Sequence, residues 1–372
     1  MSKKIVLSSN TSFSLYNFRL GLMRRLKKER FDVFTLAPED NYSEKLKSEF
    51  NFYPIKHLDR KGKNPLKDIK LLFEYLRFYK NLKPDLVINF TIKPNIYSSI
   101  ACGLLGIKCV SVVTGLGYVY VKGGLLKKLV NSLYRISFSF NIYVIFLNEE
   151  DMLTFLKIKL INEEKAVLIK SEGINTEHFK PMNCEKQTQK PVFLMISRLL
   201  WDKGVKEFVE AGKILKKKGY EVELWLLGPF DIGNPASVPE EYVRDLEKRG
   251  IIKYMGVHQD VRPFIAQADA VVLPSYREGI PRVLLEAASM EKPIITTDTV
   301  GCREVCKDRE NGFLVKPKDP FSLAEGMIKF LQLSDEKKRK MGKRGRQIVL
   351  EEFDEKLIVD RYLAIIHEVI NA

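Results

Sequence analysis

The stretch Ala270-Val271-Val272-Leu273-Pro274-Ser275-Tyr276-Arg277-Glu278-Gly279-Ile280-Pro281-Arg282-Val283-Leu284-Leu285-Glu286 decides the fold class. Ala270–Pro274 is short, apolar and β-rich, and reads as a buried strand. Proline suits the first turn of a helix, where its missing N–H is not needed. A helix is therefore expected from Pro281 to about Met290. Between them lies a short loop containing Gly279, where the backbone can approach a ligand closely.

The same alternation runs outward through the chain. Apolar runs at Ile5–Ser8, Val33–Ala37, Leu86–Phe90, Cys109–Thr114 and Tyr143–Leu147 are separated by longer amphipathic stretches. Val192–Ile196, Glu223–Leu227 and Pro293–Thr297 continue the series. This pattern implies βαβ units and parallel sheets buried on both faces. The rhythm breaks at Glu177–Pro191, a polar stretch with two prolines that reads as a linker. The expected architecture is α/β, with two doubly wound, Rossmann-like domains facing across a cleft. They are placed at residues 1–178 and 191–352, with a linker at 179–190. A final helix over 353–372 has no strand after it and is free to pack back on the first domain.

A chain of 372 residues exceeds what one core usually holds, which also favours two domains. Hydrophobic residues at 45% and charged residues at 29% exclude a disordered chain. The apolar run after Met1-Ser2-Lys3-Lys4 is too short for a secretory signal. No run reaches the length of a membrane span. Ile136–Leu147 comes nearest, and Asn141 interrupts it, so it reads as a helix end followed by a buried strand. The five cysteines, Cys102, Cys109, Cys184, Cys302 and Cys306, form neither a disulfide framework nor a zinc spacing. They fit a reduced, cytoplasmic protein with buried thiols and no metal site. A net charge of +15 calls for anionic partners. Basic clusters interleaved with stacking aromatics are missing, so nucleic acid is not among the expected ones.

The loop and helix start at Gly279, Ile280, Pro281 and Val283 form an anion site, because the first N–H groups of a helix have no carbonyl partner and the dipole adds positive charge. A carboxylate beside a phosphate is repulsive, so Glu278 and Glu286 need another task. Each can accept from vicinal sugar hydroxyls. A ribose and a hexose flanking a diphosphate would use both. Val192–Ile196 ends in Ser197-Arg198-Leu199-Leu200-Trp201-Asp202-Lys203-Gly204. Arg198 and Lys203 thus lie on a loop at a strand's carboxyl end, where ligands of such sheets bind. Together they can neutralise a leaving diphosphate.

These elements resemble the family-four glycosyltransferases of the GT-B fold. Gly173-Ile174-Asn175 with Phe179-Lys180-Pro181, Ser197-Arg198 with Lys203-Gly204, and the Glu278-to-Glu286 pair at E-x7-E spacing occur in the family's order. Tyr254-Met255-Gly256 and Gln267–Ser275 fit as well. The resemblance implies transfer with retention at the anomeric carbon. Arg198 and Lys203 would bind the donor diphosphate, Glu286 the ribose, and Glu278 the transferred sugar. The base would rest near Gly256-Val257-His258, and Gly115 and Gly117 would approach the donor from the first domain. Many members carry a histidine where Thr114–Tyr118 stands, so no histidine base is assigned. No cofactor or metal is implied.

Ser14–Arg19, Trp201–Phe208, Ser275-Tyr276-Arg277 and Gly301–Val305 resemble enzymes of bacterial capsule, O-antigen and N-glycan precursor assembly. That resemblance implies a UDP-linked N-acetylhexosamine donor and a polyprenyl-diphosphate-linked acceptor. It also implies a peripheral position on the inner face of the plasma membrane. Asn17, Arg19, Lys93, Lys122, Lys127 and Lys128 are the candidates for contact with the acceptor or the anionic membrane surface. Lys122 to Phe140 mixes apolar and basic residues at helical spacing, and Arg60-Lys61-Gly62-Lys63 adds further basic residues. A nucleotide-sugar epimerase on the same fold is the alternative.

Overall fold

The computed structural model describes residues 2–59, 64–115 and 124–371. It separates into two compact units, residues 1–173 with 355–372, and residues 174–354.

The first unit carries a seven-stranded parallel sheet in the order β3-β2-β1-β4-β5-β6-β7. Its strands are β1 (Lys4–Ser8), β2 (Asp32–Ala37), β3 (Asn51–Pro54), β4 (Leu86–Phe90), β5 (Cys109–Val113), β6 (Tyr143–Phe146) and β7 (Ala166–Leu168). Every residue of β4 and β5 is buried, as helices on both faces require. The connecting helices are α1 (Ser12–Lys28), α2 (Ser43–Glu49), α3 (Pro65–Leu82), α4 (Ser99–Leu105), α5 (Gly124–Phe140) and α6 (Glu149–Lys157). A π-helical turn, Pro94–Ser98, leads into α4. Thr11 opens α1 by accepting from the Ser14 N–H, which satisfies one of the helix's orphan donors. In α3, Leu71, Tyr75 and Tyr79 are buried at four-residue spacing and define the face turned to the sheet.

The second unit holds a six-stranded parallel sheet in the order β10-β9-β8-β11-β12-β13. Its strands are β8 (Val192–Ile196), β9 (Glu223–Leu227), β10 (Lys253–Tyr254), β11 (Ala270–Leu273), β12 (Ile294–Thr297) and β13 (Gly312–Val315). Its helices are α7 (Val205–Lys217), α8 (Glu240–Lys248), α9 (Arg262–Gln267), α10 (Arg282–Ser289), α11 (Cys302–Val305), α12 (Pro320–Leu331) and α13 (Asp335–Glu352). From β8 the chain builds β9 and β10 on one side and β11 to β13 on the other. The order therefore reverses between β8 and β11, the place where open α/β sheets bind ligands.

Two boundaries differ from the sequence reading. The chain leaves the first unit between Gly173 and Ile174, not within 179–190, and re-enters it between Asp354 and Glu355. Residues Ile174 and Phe179 are buried in the second unit's core. The Ile174 N–H donates to the Phe353 carbonyl at 2.9 Å, and Thr176 donates to Asp354. The stretch looked like a linker because its polar side chains face solvent, while a few apolar residues and its backbone anchor it. The last helix, α14 (Glu355–Asn371), belongs to the first unit. Ile358, Val359, Tyr362, Leu363, Ile366 and Val369 are buried in the same core as Ile5 and Leu7. At about 1.5–3 kcal/mol for each fully buried large apolar side chain, that face holds the helix in place.

Four cysteines are buried and Cys184 is exposed, all as free thiols. Among the described residues no helix is long and apolar enough to cross a membrane.

Candidate active site

The site is assembled at the carboxyl ends of β8, β9, β11 and β12. Their loops are stitched together by the backbone. The Ser197 N–H donates to the Leu227 carbonyl at 3.1 Å, and the Tyr276 N–H to the Asp202 carbonyl at 2.9 Å. Thr297 Oγ1 donates to the Ser275 carbonyl at 2.5 Å, and Thr296 Oγ1 to the Leu273 carbonyl at 2.6 Å. Two glycines allow the loops to touch. Gly204 has φ +81°, and a Cβ there would meet the Pro274 oxygen at 2.2 Å. Gly301 has φ +78°, and a Cβ would meet the Gly279 oxygen at 2.1 Å.

Lys203 and Glu278 come together on this frame. The ammonium donates to Glu278 Oε1 at 2.6 Å, with the side chains 18% and 14% exposed. Ser275 Oγ donates to the same carboxylate oxygen at 2.6 Å. The Glu278 N–H points to the Val300 carbonyl at 3.3 Å. A carboxylate held by a cation and a hydroxyl at the end of β11 is oriented before any ligand arrives.

Helix α10 begins at Arg282, one residue later than the sequence suggested, and Pro281 is its extended N-cap residue. No side chain caps it. A proline cap has no N–H of its own and no side-chain acceptor to offer the first turn's N–H groups. Glu286 sits one turn further in. Arg282 Nε donates to Glu286 Oε1 at 3.0 Å. Burial pushes the Glu286 carboxyl above its ordinary range, and the Arg282 charge pulls it partly back.

Arg198 is joined instead to Asp231, at 2.8 Å from Nη1 to Oδ2. Asp231 lies in the loop after β9 and was not singled out from the sequence. Tyr276, which the sequence offered only as part of a resemblance, makes contacts to which it gave no clue. Its hydroxyl donates to Glu207 Oε1 at 2.8 Å, and the Lys318 ammonium lies 4.9 Å from its ring centre. Asp231 stands near no quoted motif, and Glu207 lies inside Trp201–Phe208 without a role of its own there, so spacing alone gave no signal for them.

Val257 is exposed at the end of the loop after β10. His258 Nε2 lies 2.7 Å from the Met255 carbonyl, and its ring is 4.4 Å from that of Phe264. In the first unit, Gly115 takes φ +134° just after β5. Gly117, Lys122 and Arg60-Lys61-Gly62-Lys63 lie outside the described residues.

The acceptor and membrane candidates scatter. Arg19 is buried on α1, pairs with Glu172, donates to the Ser14 carbonyl at 3.2 Å and lies 4.4 Å from the Phe90 ring centre. It faces the core, so its assignment to a surface contact is corrected. The reason is geometric: its helix position packs against the sheet and α14. Lys93 is largely buried and donates to Asp68 at 2.5 Å, an internal pair that a sequence cannot show. Asn17 donates back to the Phe13 carbonyl at 3.0 Å. Lys128 is exposed on α5, and Lys127 is half-buried.

The comparisons with known proteins match both units. Residues 4–148 fit the model described as glycosyl transferase 4-like, and residues 178–348 the model described as glycosyl transferases group 1. A relative from Campylobacter jejuni, N,N'-diacetylbacillosaminyl-diphospho-undecaprenol alpha-1,3-N-acetylgalactosaminyltransferase, is 33% identical over 98% of each chain. An Escherichia coli relative, UDP-Gal:alpha-D-GlcNAc-diphosphoundecaprenol alpha-1,3-galactosyltransferase, is 25% identical over 87% of this chain and 85% of its own. Among solved structures, a glycosyltransferase from Rickettsia africae superposes with a TM-score of 0.81, at 21% identity and 99% coverage of both chains. The chain belongs to the GT-B glycosyltransferases that join a 4-like amino-terminal half to a group 1 carboxyl-terminal half.

Proposed function

We propose that this glycosyltransferase moves an N-acetylhexosamine from a UDP-linked donor to a polyprenyl-diphosphate-linked saccharide, with retention at the anomeric carbon. The observation that carries the reading is the Lys203–Glu278–Ser275 cluster beside the open start of α10. Cation and helix N-terminus suit a diphosphate, and the fixed carboxylate suits the hydroxyls of the sugar attached to it. The two relatives above act, by their names, on diphospho-undecaprenol-linked saccharides, and one of them uses UDP-galactose. Those names support the choice of donor and acceptor class. They give no support to an epimerase.

In this mechanism the bond from the anomeric carbon to the donor phosphate breaks, and the acceptor oxygen bonds to that carbon on the same face. The departing phosphate takes the acceptor's proton. Arg198 and Lys203 stabilise the charge that develops on the phosphate, and Glu286 holds the ribose. Side-chain cations supply the neutralisation, so transfer is expected to persist in chelator. Losing one preorganised donor of this kind costs about 10²–10³ in rate. Arg198→Ala and Lys203→Ala should each lose that much transfer while still folded at assay temperature, with a lowered melting temperature in Lys203→Ala because the part-buried Glu278 carboxylate loses its cation. Near-normal turnover in both would sink the assignment.

With a lipid-linked acceptor the reaction is expected at a membrane surface, in this reading the inner face of the plasma membrane. Two helices of the first unit support this. Leu66, Ile69 and Phe73 are exposed along one stripe of α3, and Leu129, Ile136 and Phe140 along one stripe of α5. Exposed Lys67, Lys70 and Arg77 accompany the first, and Lys128 and Arg135 the second. Apolar side chains flanked by cations fit an anionic lipid interface.

A further inference from the structure

We propose that Asp231 is a positioning residue that fixes the Arg198 guanidinium for the donor diphosphate, deepening the reading of Arg198 given above and resting on it. The loop over residues 228–238 is built onto the Arg198 loop. The Leu199 N–H donates to the Pro229 carbonyl at 2.9 Å, the Trp201 N–H to the Ala236 carbonyl at 2.8 Å, and the Val238 N–H to the Leu199 carbonyl at 2.9 Å. Isolated bridges join Leu199 to Phe230 and Leu200 to Ser237. The loop thus follows the backbone on both sides of Leu199, one residue after Arg198.

Inside the loop, Asn234 fixes the carboxylate. Its Nδ2 donates to Asp231 Oδ2 at 2.9 Å, while its own Oδ1 accepts from the Ala236 N–H at 3.0 Å. The Asn234 N–H donates to the Asp231 carbonyl at 3.0 Å, and the Ser237 N–H to the Asn234 carbonyl at 2.9 Å. Asp231 is therefore the anchored partner. Its side chain is 14% exposed, against 42% for Arg198.

The bond to Asp231 takes Nη1 of a guanidinium that carries five N–H donors. Donors remain on the exposed side for a second anion. An arginine held this way need not be oriented when charge develops on the leaving phosphate, which is where preorganised donors contribute most. Among the described residues Lys203 shows no such separate clamp. Its partner is Glu278, the carboxylate assigned to the sugar. The two cations thus differ: Lys203 is coupled to the transferred sugar, and Arg198 to a loop that no substrate group needs to touch.

The test is a double-mutant cycle on transfer kinetics, since coupled residues show non-additive losses. Asp231→Ala should lower kcat about tenfold or more with a smaller change in donor KM. Asp231→Asn keeps an acceptor oxygen for Arg198 and should lose less. This isosteric variant also carries the test if the alanine variant unfolds. In an Arg198→Ala background, either Asp231 substitution should change kcat less than about twofold, because the guanidinium it positions is already gone. Equal fold losses in both backgrounds, or a normal kcat in Asp231→Ala, would overturn the proposal. Near-normal turnover in Arg198→Ala alone would instead remove the reading of Arg198 on which it rests.

Discussion

Glu286 lies in the first turns of α10, largely buried, with one cation beside it. Burial raises the carboxyl above the ordinary glutamate value of 4.5, and Arg282 opposes the rise. In the role proposed for Glu286 a ribose hydroxyl would donate to the ionised form, so donor binding should weaken as pH falls through the raised pKa. The sign for stability is opposite: ionised Glu286 costs folding free energy above its unfolded pKa, and that cost fades as pH falls. Donor KM should therefore rise on the acid side at a pH above 4.5. Arg282→Ala removes the opposing charge, so the rise should begin at higher pH, and Glu286→Gln should flatten it. A KM profile that Arg282→Ala leaves in place would show that another group titrates.

Single residues also show where sequence stops being informative. The placement of Glu278, Glu286, Arg198 and Lys203 was legible because each is tied in the sequence to a strand end or a helix start. Their partners were not. Asp231 lies 33 residues beyond Arg198 and reaches it only because β8 and β9 are neighbours. Arg19 failed in the other direction. Its charge suggested a surface, yet Glu172, 153 residues away, neutralises it inside the first unit.

At the scale of elements, the loops after β11 and β12 work as one piece. Gly301 lets its backbone rest against Gly279, next to Glu278. In Gly301→Ala the methyl would lie 2.1 Å from the Gly279 oxygen at a φ of +78°, so the Glu278–Gly279 turn must shift. With ψ at −42° this is a sparsely populated positive-φ conformation, which costs a non-glycine residue about 1–3 kcal/mol before that shift is counted. A displacement of about 1 Å at a reacting group costs roughly 10²-fold in rate. The expected result is a kcat loss larger than the drop in melting temperature explains, with the variant still folded at assay temperature. Normal kcat would mean that the turn does not need this contact.

The strands singled out from the sequence are all interior ones, and the structure adds β3, β7, β10 and β13. These four are the edges of the two sheets. Interior strands are covered on both faces and read as continuous apolar runs. At the edges β3, β7 and β10 are only partly covered, and at four, three and two residues they are too short to show a period. β13 is buried but has four residues and begins with glycine, too little for a period to show.

Across the whole molecule, the alternation of strands and helices made the two-sheet architecture legible, and the last helix, free by its lack of a following strand to pack back on the first domain, does belong to that unit as α14. The net charge of +15 called for an anionic partner without locating it. The structure places exposed cations beside the apolar stripes of α3 and α5. The protein should float with vesicles containing phosphatidylglycerol and lose binding as salt is raised, because surface attraction is screened. Replacing Leu66, Ile69 and Phe73 together by serine should weaken flotation. Failure to bind anionic vesicles at low salt would remove the membrane claim.

The central claim is that the second unit holds a nucleotide-sugar donor through its diphosphate and positions the transferred sugar on Glu278. Turnover and UDP affinity of Glu278→Ala, measured on the same folded preparation, test it most directly. The account predicts transfer lowered by about 10²–10³ with UDP still bound, since the diphosphate keeps Arg198, Lys203 and the start of α10. Near-normal transfer by this variant would contradict it.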